Sequence, residues 1–340
     1  MGCVVVIGGF FGSEGKGKIV AHLALHDKPL IAARGGVGPN AGHTIIFEGK
    51  EYRLRQIPSA FVNPTTRLLI GPGVLVDPRV LLEEIKSTRV ENRIGLDPQC
   101  AIIEEPHIQR ERENMYLNQI VKTTETGCGP CMEDRVRRVA KLARDTPELH
   151  PYLTDVALEI NSTIDRGKKV LVEGTQGTHL SLYHGTYPHC TSKDVTASAI
   201  CSDVGIGPTK VSDVIAVFKA FVTRSSPAGP LEGELPQGEA DRRGWTEITT
   251  VSHRQRRVAP FNFQMAKRAV MLNGATQTAL TKIDILFPEC QGAKSFDQLP
   301  EKALSFIQEV EAELKVPVTL IGTGPDSREI IDRRHASSKK

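Results

Sequence analysis

Short apolar runs alternate along this chain with polar stretches of helical spacing. Cys3–Ile7, Leu68–Ile70, Val170–Val172, Val214–Val217, Ala279–Leu280 and Val318–Ile321 are each short, apolar and often β-branched. That is the pattern of strands in a parallel sheet covered on both faces. Arg135–Arg144 and Ser305–Leu314 place apolar residues at helical spacing. Such alternation predicts an α/β fold: one large domain over residues 1–333, built on a central, mostly parallel sheet with right-handed crossovers. Residues 334–340 are polar and read as a frayed tail. Gly- and Pro-rich stretches follow the strands, where open α/β sheets place ligands.

The first of these stretches carries the strongest local chemistry. Gly8-Gly9-Phe10-Phe11-Gly12-Ser13-Glu14-Gly15-Lys16-Gly17-Lys18 runs from a strand into a helix. Glycines let backbone N–H groups approach phosphate oxygens, and the helix N-terminus adds partial positive charge. Lys16 or Lys18 can neutralise a phosphoryl group in transfer. The loop departs from the Walker A spacing, because Gly9 to Gly15 is one residue too long and Gly17 stands where Ser or Thr is expected. A second Gly-rich loop, Arg34 to Thr44, contains Asn40-Ala41-Gly42-His43. Its imidazole titrates near neutrality and can protonate a reacting oxygen.

Composition narrows the field. With 39% hydrophobic and 24% charged residues the chain is of ordinary globular type, which excludes collagen-like and wholly disordered classes. A net charge of +3 exerts no long-range pull on nucleic acid or membrane, and the single Trp argues against a base-stacking platform. The N-terminal apolar run is one strand long and lacks a basic leader, and no stretch is long enough to span a bilayer. Seven cysteines at irregular spacing suit reduced thiols in a cytoplasm. Cys128-Gly129-Pro130-Cys131 has a redox-type spacing without the usual preceding strand and Trp. His179, His184, His189 and Cys190 match no zinc spacing.

Taken in order, the motifs resemble the adenylosuccinate synthetase family in its short archaeal-type form, from Val4 to about Ile331. They are Gly12–Lys18, Asn40–His43, Glu173-Gly174-Thr175-Gln176-Gly177-Thr178, His184-Gly185-Thr186-Tyr187-Pro188, Lys219–Arg224, Thr281-Lys282-Ile283-Asp284 and Gly322-Thr323-Gly324-Pro325-Asp326. The resemblance implies a Mg²⁺- and nucleoside triphosphate-dependent ligase. It would phosphorylate O6 of a 6-oxopurine nucleotide and then displace that phosphate with the amino group of L-aspartate. It implies His43 as the acid near O6 and Lys16 at the moving phosphoryl group. Ser13, at the family's Asp position, and the Gly42 carbonyl would face Mg²⁺. Gly12, Ser13, Glu14, Gly15, Lys16, Gly17, Lys18, Gly42, Lys282, Asp284, Gly322 and Gly324 would meet the triphosphate. Ser13, Asn40, Thr124, Gln176, Leu180 and Thr191 would meet the purine monophosphate, with Arg138 donated across a homodimer. Ser252, Arg254 and Arg256 would bind aspartate.

Departures from the family bear on the substrate. Ser13 replaces the Asp that takes the N1 proton and binds Mg²⁺, and a hydroxyl is a far weaker base and ligand. It is also smaller, leaving room for a 2-amino group. That resembles the phage-encoded branch acting on dGMP to make the diaminopurine precursor, with ATP or dATP as donor. IMP with GTP is the alternative, and Thr281–Asp284 resembles a guanine reader. His253 replaces a Gly in the aspartate loop, and Glu125-Thr126-Gly127 lacks one Arg. A reading from another class is a P-loop switch or partition ATPase, which needs neither an aspartate site nor a second nucleotide pocket.

Overall fold

A computed structural model describes residues 2–248 and 255–334. Its strands are β1 (Cys3–Gly8), β2 (Ile31–Arg34), β3 (His43–Phe47), β4 (Lys50–Leu54), β5 (Arg67–Ile70), β6 (Leu75–Val76), β7 (Ile94–Leu96) and β8 (Ala101–Ile102). Then follow β9 (Val170–Glu173), β10 (Val211–Lys219), β11 (Phe221–Arg224), β12 (Arg257–Pro260), β13 (Gln277–Thr281), β14 (Val318–Gly322) and β15 (Ile330–Asp332). Nine of them form one sheet in the order β15-β14-β13-β10-β1-β9-β2-β5-β7. Every neighbouring pair is parallel except β14–β15.

The strands are apolar on both faces because both faces are covered. Val5, Ile7, Val172, Ala216 and Phe218 belong to one hydrophobic cluster, and Val6, Leu171, Ile215 and Val217 to another. The odd–even split along β1 and β10 is the two-residue period of a strand. Each expected apolar run lies within a strand of this sheet. The expected helix Ser305–Leu314 is the C-terminal part of helix Glu301–Leu314.

Arg135–Arg144 is different. The helix there is Cys128–Arg137, and the chain leaves it at Arg138, a left-handed cap with φ 65°. Of the apolar positions in that stretch, Val136 and Val139 are both 64% exposed, whereas Leu142 and Ala143 are buried only after the chain has left the helix, so the helical period is not kept. The tail begins differently too: Arg334 forks onto Asp27 at 2.7 and 2.9 Å and also binds Asp332. Residues 335–340 lie outside the described part. Among the described residues no helix is long and apolar enough to cross a membrane.

The sheet presents its C-terminal edge to one region. β1 delivers the first Gly-rich loop, β2 the second, β9 Glu173, β10 Lys219, β13 Lys282 and β14 Gly324. The connections diverge on either side of β1, the switch-point arrangement in which open α/β sheets bind ligands.

Candidate active site

The first loop is shaped from inside by Glu14. Its buried carboxylate accepts the N–H groups of Phe10 (2.9 Å) and Gly12 (2.7 Å), folding the backbone round it. Glu14 therefore organises the loop rather than facing the cavity. Gly15 ends the loop with φ 88°, and helix Lys16–Asp27 begins. Gly12, at φ 94°, lies so close to the next turn that a Cβ would sit 2.9 Å from Cα of Gln176. Gln176 itself has φ 48°, a conformation rare for a residue with a side chain. That twist brings its carbonyl to Lys16 Nζ, which also donates to Glu14 (3.2 Å) and to the Gly12 carbonyl (3.3 Å). Burial lowers the Lys16 pKa against the pull of Glu14. Lys18 donates to the carbonyls of Gly324 and Glu329 (2.9 Å), and burial brings it down to about 8.

His43 begins β3 and is buried. Its Nδ1 contacts a carboxylate oxygen of Glu173 and lies 2.7 Å from Arg34 Nη1. Four donors converge on Glu173: His43, Arg34 at 3.0 Å, and the N–H and hydroxyl of Ser59 at 2.6 Å each. Burial alone would raise the Glu173 pKa, but the charges of His43 and Arg34 hold it down to about 2. Burial and then the Arg34 cation push His43 down to about 4. The ring is thus neutral near pH 7. Its Nε2 is buried with no partner among the described residues, as a group awaiting a ligand would be.

A cavity of about 690 Å³ opens over these groups. It is lined by Gly12, Ser13, Gly15, Lys16, Gly17 and Lys18 from the first loop, and by Asn40, Gly42 and His43 from the second. Thr124, Gln176, Leu180, Thr191, Arg256, Lys282 and Gly324 complete the expected set that the structure brings together. Gln176 donates to Asn40 (3.0 Å), which donates to Thr191 (3.3 Å), so three of the expected monophosphate ligands are already linked. Ser13 faces Ser225, with 3.4 Å between the hydroxyls.

Other expected residues stand apart. Gly322 is off the cavity wall but close enough that a Cβ would sit 3.1 Å from Lys18 Nζ. Asp284 does not line the cavity, yet its Oδ1 is buried and unpartnered among the described residues. Arg138 is exposed and away from it. Ser252, His253 and Arg254 lie outside the described residues.

Five participants escaped sequence reading as individual residues: Arg34, Glu173, Lys219, Ser225 and Glu247. A usable signal existed for three of them. A charged residue closing a buried apolar strand, as in Ile31–Arg34, Val170–Glu173 and Val211–Lys219, has to be satisfied at the sheet's ligand edge. Burial pushes the thiols of Cys128 and Cys131 up to about 12, opposite to what redox chemistry needs. Among the described residues no cluster of three or more His, Cys, Asp or Glu could hold a metal.

Comparison with known proteins agrees with this geometry. The sequence model of the family described as adenylosuccinate synthetase matches residues 5–146 and 139–289. The chain is 56% identical over 337 residues to adenylosuccinate synthetase of Pyrococcus horikoshii, covering 98% of this chain and 99% of the relative. The Archaeoglobus fulgidus enzyme of the same name is 54% identical, with the same coverage. Among solved structures, adenylosuccinate synthetase of Plasmodium falciparum superposes with TM-score 0.88 at 25% identity, over 97% of this chain and 99% of that one. The succinoaminodeoxyadenylate synthetase of cyanophage S-2L, bound to dGMP and dATP, superposes with TM-score 0.80 at 24% identity, over 97% and 95%. These archaeal relatives draw the resemblance away from the phage branch; the cyanophage protein shares the fold. Full-length identity above one half, with the family's motifs assembled round one cavity, places this chain in the adenylosuccinate synthetase family, carbon–nitrogen ligases that join aspartate to a purine nucleotide using a nucleoside triphosphate.

Proposed function

We propose that the chain joins L-aspartate to C6 of IMP with GTP as phosphoryl donor. The observation that carries this reading is its 54–56% identity, over the full length, to archaeal enzymes named adenylosuccinate synthetase. The orphaned Asp284 oxygen supports guanine at the donor site, because a buried acceptor without a partner suits the N1–H and 2-amino donors of that base. In this scheme the first loop and Lys16 receive the moving phosphoryl group. His43 keeps Nδ1 against Glu173 and turns Nε2 to the reacting oxygen. Phosphate charge beside the ring outweighs Arg34, so that Nε2 holds a proton: it hydrogen-bonds O6 as that oxygen attacks the γ-phosphoryl group, and passes the proton to the departing phosphate when the aspartate amine displaces it from C6. Arg256, with Ser252 and Arg254, receives the aspartate carboxylates.

The protein donors proposed for Mg²⁺ are the Ser13 hydroxyl and the Gly42 carbonyl. Such a sparse oxygen set fits Mg²⁺ when phosphate oxygens and water complete the shell. Bound there, the ion would neutralise charge on the phosphates. Arg138 would reach the nucleotide phosphate of a second subunit in a homodimer, and the exposed Val136 and Val139 beside it support an interface at that corner. A cytoplasmic setting fits seven free cysteines.

One observation favours a second reading, dGMP with ATP or dATP. Ser13 and Ser225 leave the purine edge without a base for N1 and with space for a 2-amino group. The carboxylates lining the cavity, Glu111 and Glu247, are already bound by Gly127 and by Lys219 with Arg256. A phosphate-release assay with aspartate and Mg²⁺, crossing IMP, GMP and dGMP against GTP, ATP and dATP, tests both. Faster turnover of IMP supports the first reading; faster turnover of dGMP replaces it with the second. Triphosphate hydrolysis independent of aspartate and nucleotide would overturn both.

A further inference from the structure

Beside the phosphate loop the cavity wall holds three cations round one carboxylate. Glu247 Oε2 accepts from Lys219 Nζ and from Arg256 Nη1, each at 2.6 Å, and Lys282 Nζ lies 3.8 Å from Oε1. Lys219 is fixed further by Thr223 Oγ1 at 2.9 Å. The backbone repeats the clamp, since Arg256 N–H donates to the Glu247 carbonyl at 2.9 Å and Ile248 bridges Gln255. Trp245, two residues before Glu247, stacks on Phe221 with centroids 4.7 Å apart and planes 7° from parallel. Glu247 thus sits on a rigid support.

Two features of this cluster point to an anion. One carboxylate facing three cations leaves an excess of positive charge. In addition, Arg256 Nε is buried without a partner among the described residues. Nη1 is occupied by Glu247, so the Nε edge of the guanidinium is the part left to fork onto a carboxylate. We propose that Glu247 is a positioning residue for L-aspartate: it holds Arg256 by one edge, and holds Lys219 beside it, so that the other edge of Arg256 is preset for a substrate carboxylate. This rests on the reading that Arg256 meets aspartate.

Steady-state kinetics of Glu247→Gln, Glu247→Asp and Arg256→Ala test it. Glu247→Gln keeps the shape but removes the charge that fixes both cations. It should raise KM for aspartate about tenfold, equivalent to ~1.4 kcal/mol of lost binding, with kcat and the KM for the purine monophosphate nearly unchanged. Glu247→Asp keeps the charge one methylene further back and should fall in between. It also serves as the probe if the Gln variant does not fold. An aspartate KM that is unchanged or lowered, or a loss confined to kcat, overturns the proposal. If Arg256→Ala leaves the aspartate KM unaltered, the underlying placement of aspartate fails. If Arg256→Ala raises it and the Glu247 variants do not, only the role of Glu247 fails.

Discussion

Replacing Glu173 by Gln probes the centre of the site. The carboxylate is 1% exposed and accepts from four donors belonging to Arg34, His43 and Ser59. An amide of the same shape turns an NH₂ group toward one set of these donors and leaves Arg34, also 1% exposed, as an uncompensated cation. Removing one partner of a buried pair costs about 3–5 kcal/mol. Unfolding entropy of ~2.1 cal/mol/K per residue amounts to ~0.7 kcal/mol/K for this chain, so Tm should fall by about 4–7 °C. The loss should also depend on pH. The native pKa of Glu173 is held at about 2, below its unfolded value. Its contribution is therefore present above the unfolded carboxylate range and disappears as pH falls through about 2. Wild type and variant should converge in that acid window. Calorimetry or denaturant titration between pH 7 and pH 2, with phosphate release on the same preparations, measures both effects. A Tm within 1 °C of wild type at pH 7 would refute the view that Glu173 neutralises a buried cation.

Three further outcomes are expected. Ser13→Asp restores a base and Mg²⁺ ligand beside Ser225 and fills the space near C2, so the dGMP/IMP ratio of kcat/KM should move toward IMP by about tenfold, or ~1.4 kcal/mol; an unchanged ratio places base selection elsewhere. His43→Ala should lower kcat by ~10²–10⁴-fold with little change in nucleotide affinity. Near-normal kcat in that variant would remove His43 from the chemistry. Mixed Arg138→Ala and His43→Ala chains should regain activity through hybrid dimers holding one intact site, and no recovery after verified subunit exchange would exclude a site completed in trans.

The sequence discloses this fold where local pattern decides it. Val170–Val172 and Val318–Ile321 are buried on both faces and read as strands without ambiguity. β7 and β15, three residues each, are too short to show a period, and β2 ends in charge. The helix placed over Arg135–Arg144 fails because Val136 and Val139 match a helical period yet face solvent. In the site, the Gly-rich loops are contiguous and stand out as motifs. Glu173 is visible as a motif letter, but its work is not, because its partners come from three separate segments. Lys219 and Glu247 meet only after the sheet has closed.

The strand order has a consequence for the birth of the molecule. β1 precedes both of its partners in the chain, yet it lies in the interior of the sheet, where Cys3 pairs with Val170 on one side and with Val211 on the other. At ribosomal rates of 5–20 residues per second, the second partner emerges roughly 10–40 s after the first strand. Until Val170 emerges the segment bearing Lys16 and Lys18 has neither neighbour to dock against, and until Val211 emerges one edge of an apolar strand waits unpaired. Such long-range pairing is slow by its topology, since loop entropy is lost before contacts compensate it. Phosphate affinity should therefore arise only after Val211 has been added and both neighbours of β1 are present. A nascent polypeptide stalled before Val211 should not retain a nucleotide, and shielding of Cys3–Gly8 during synthesis becomes a requirement of this architecture.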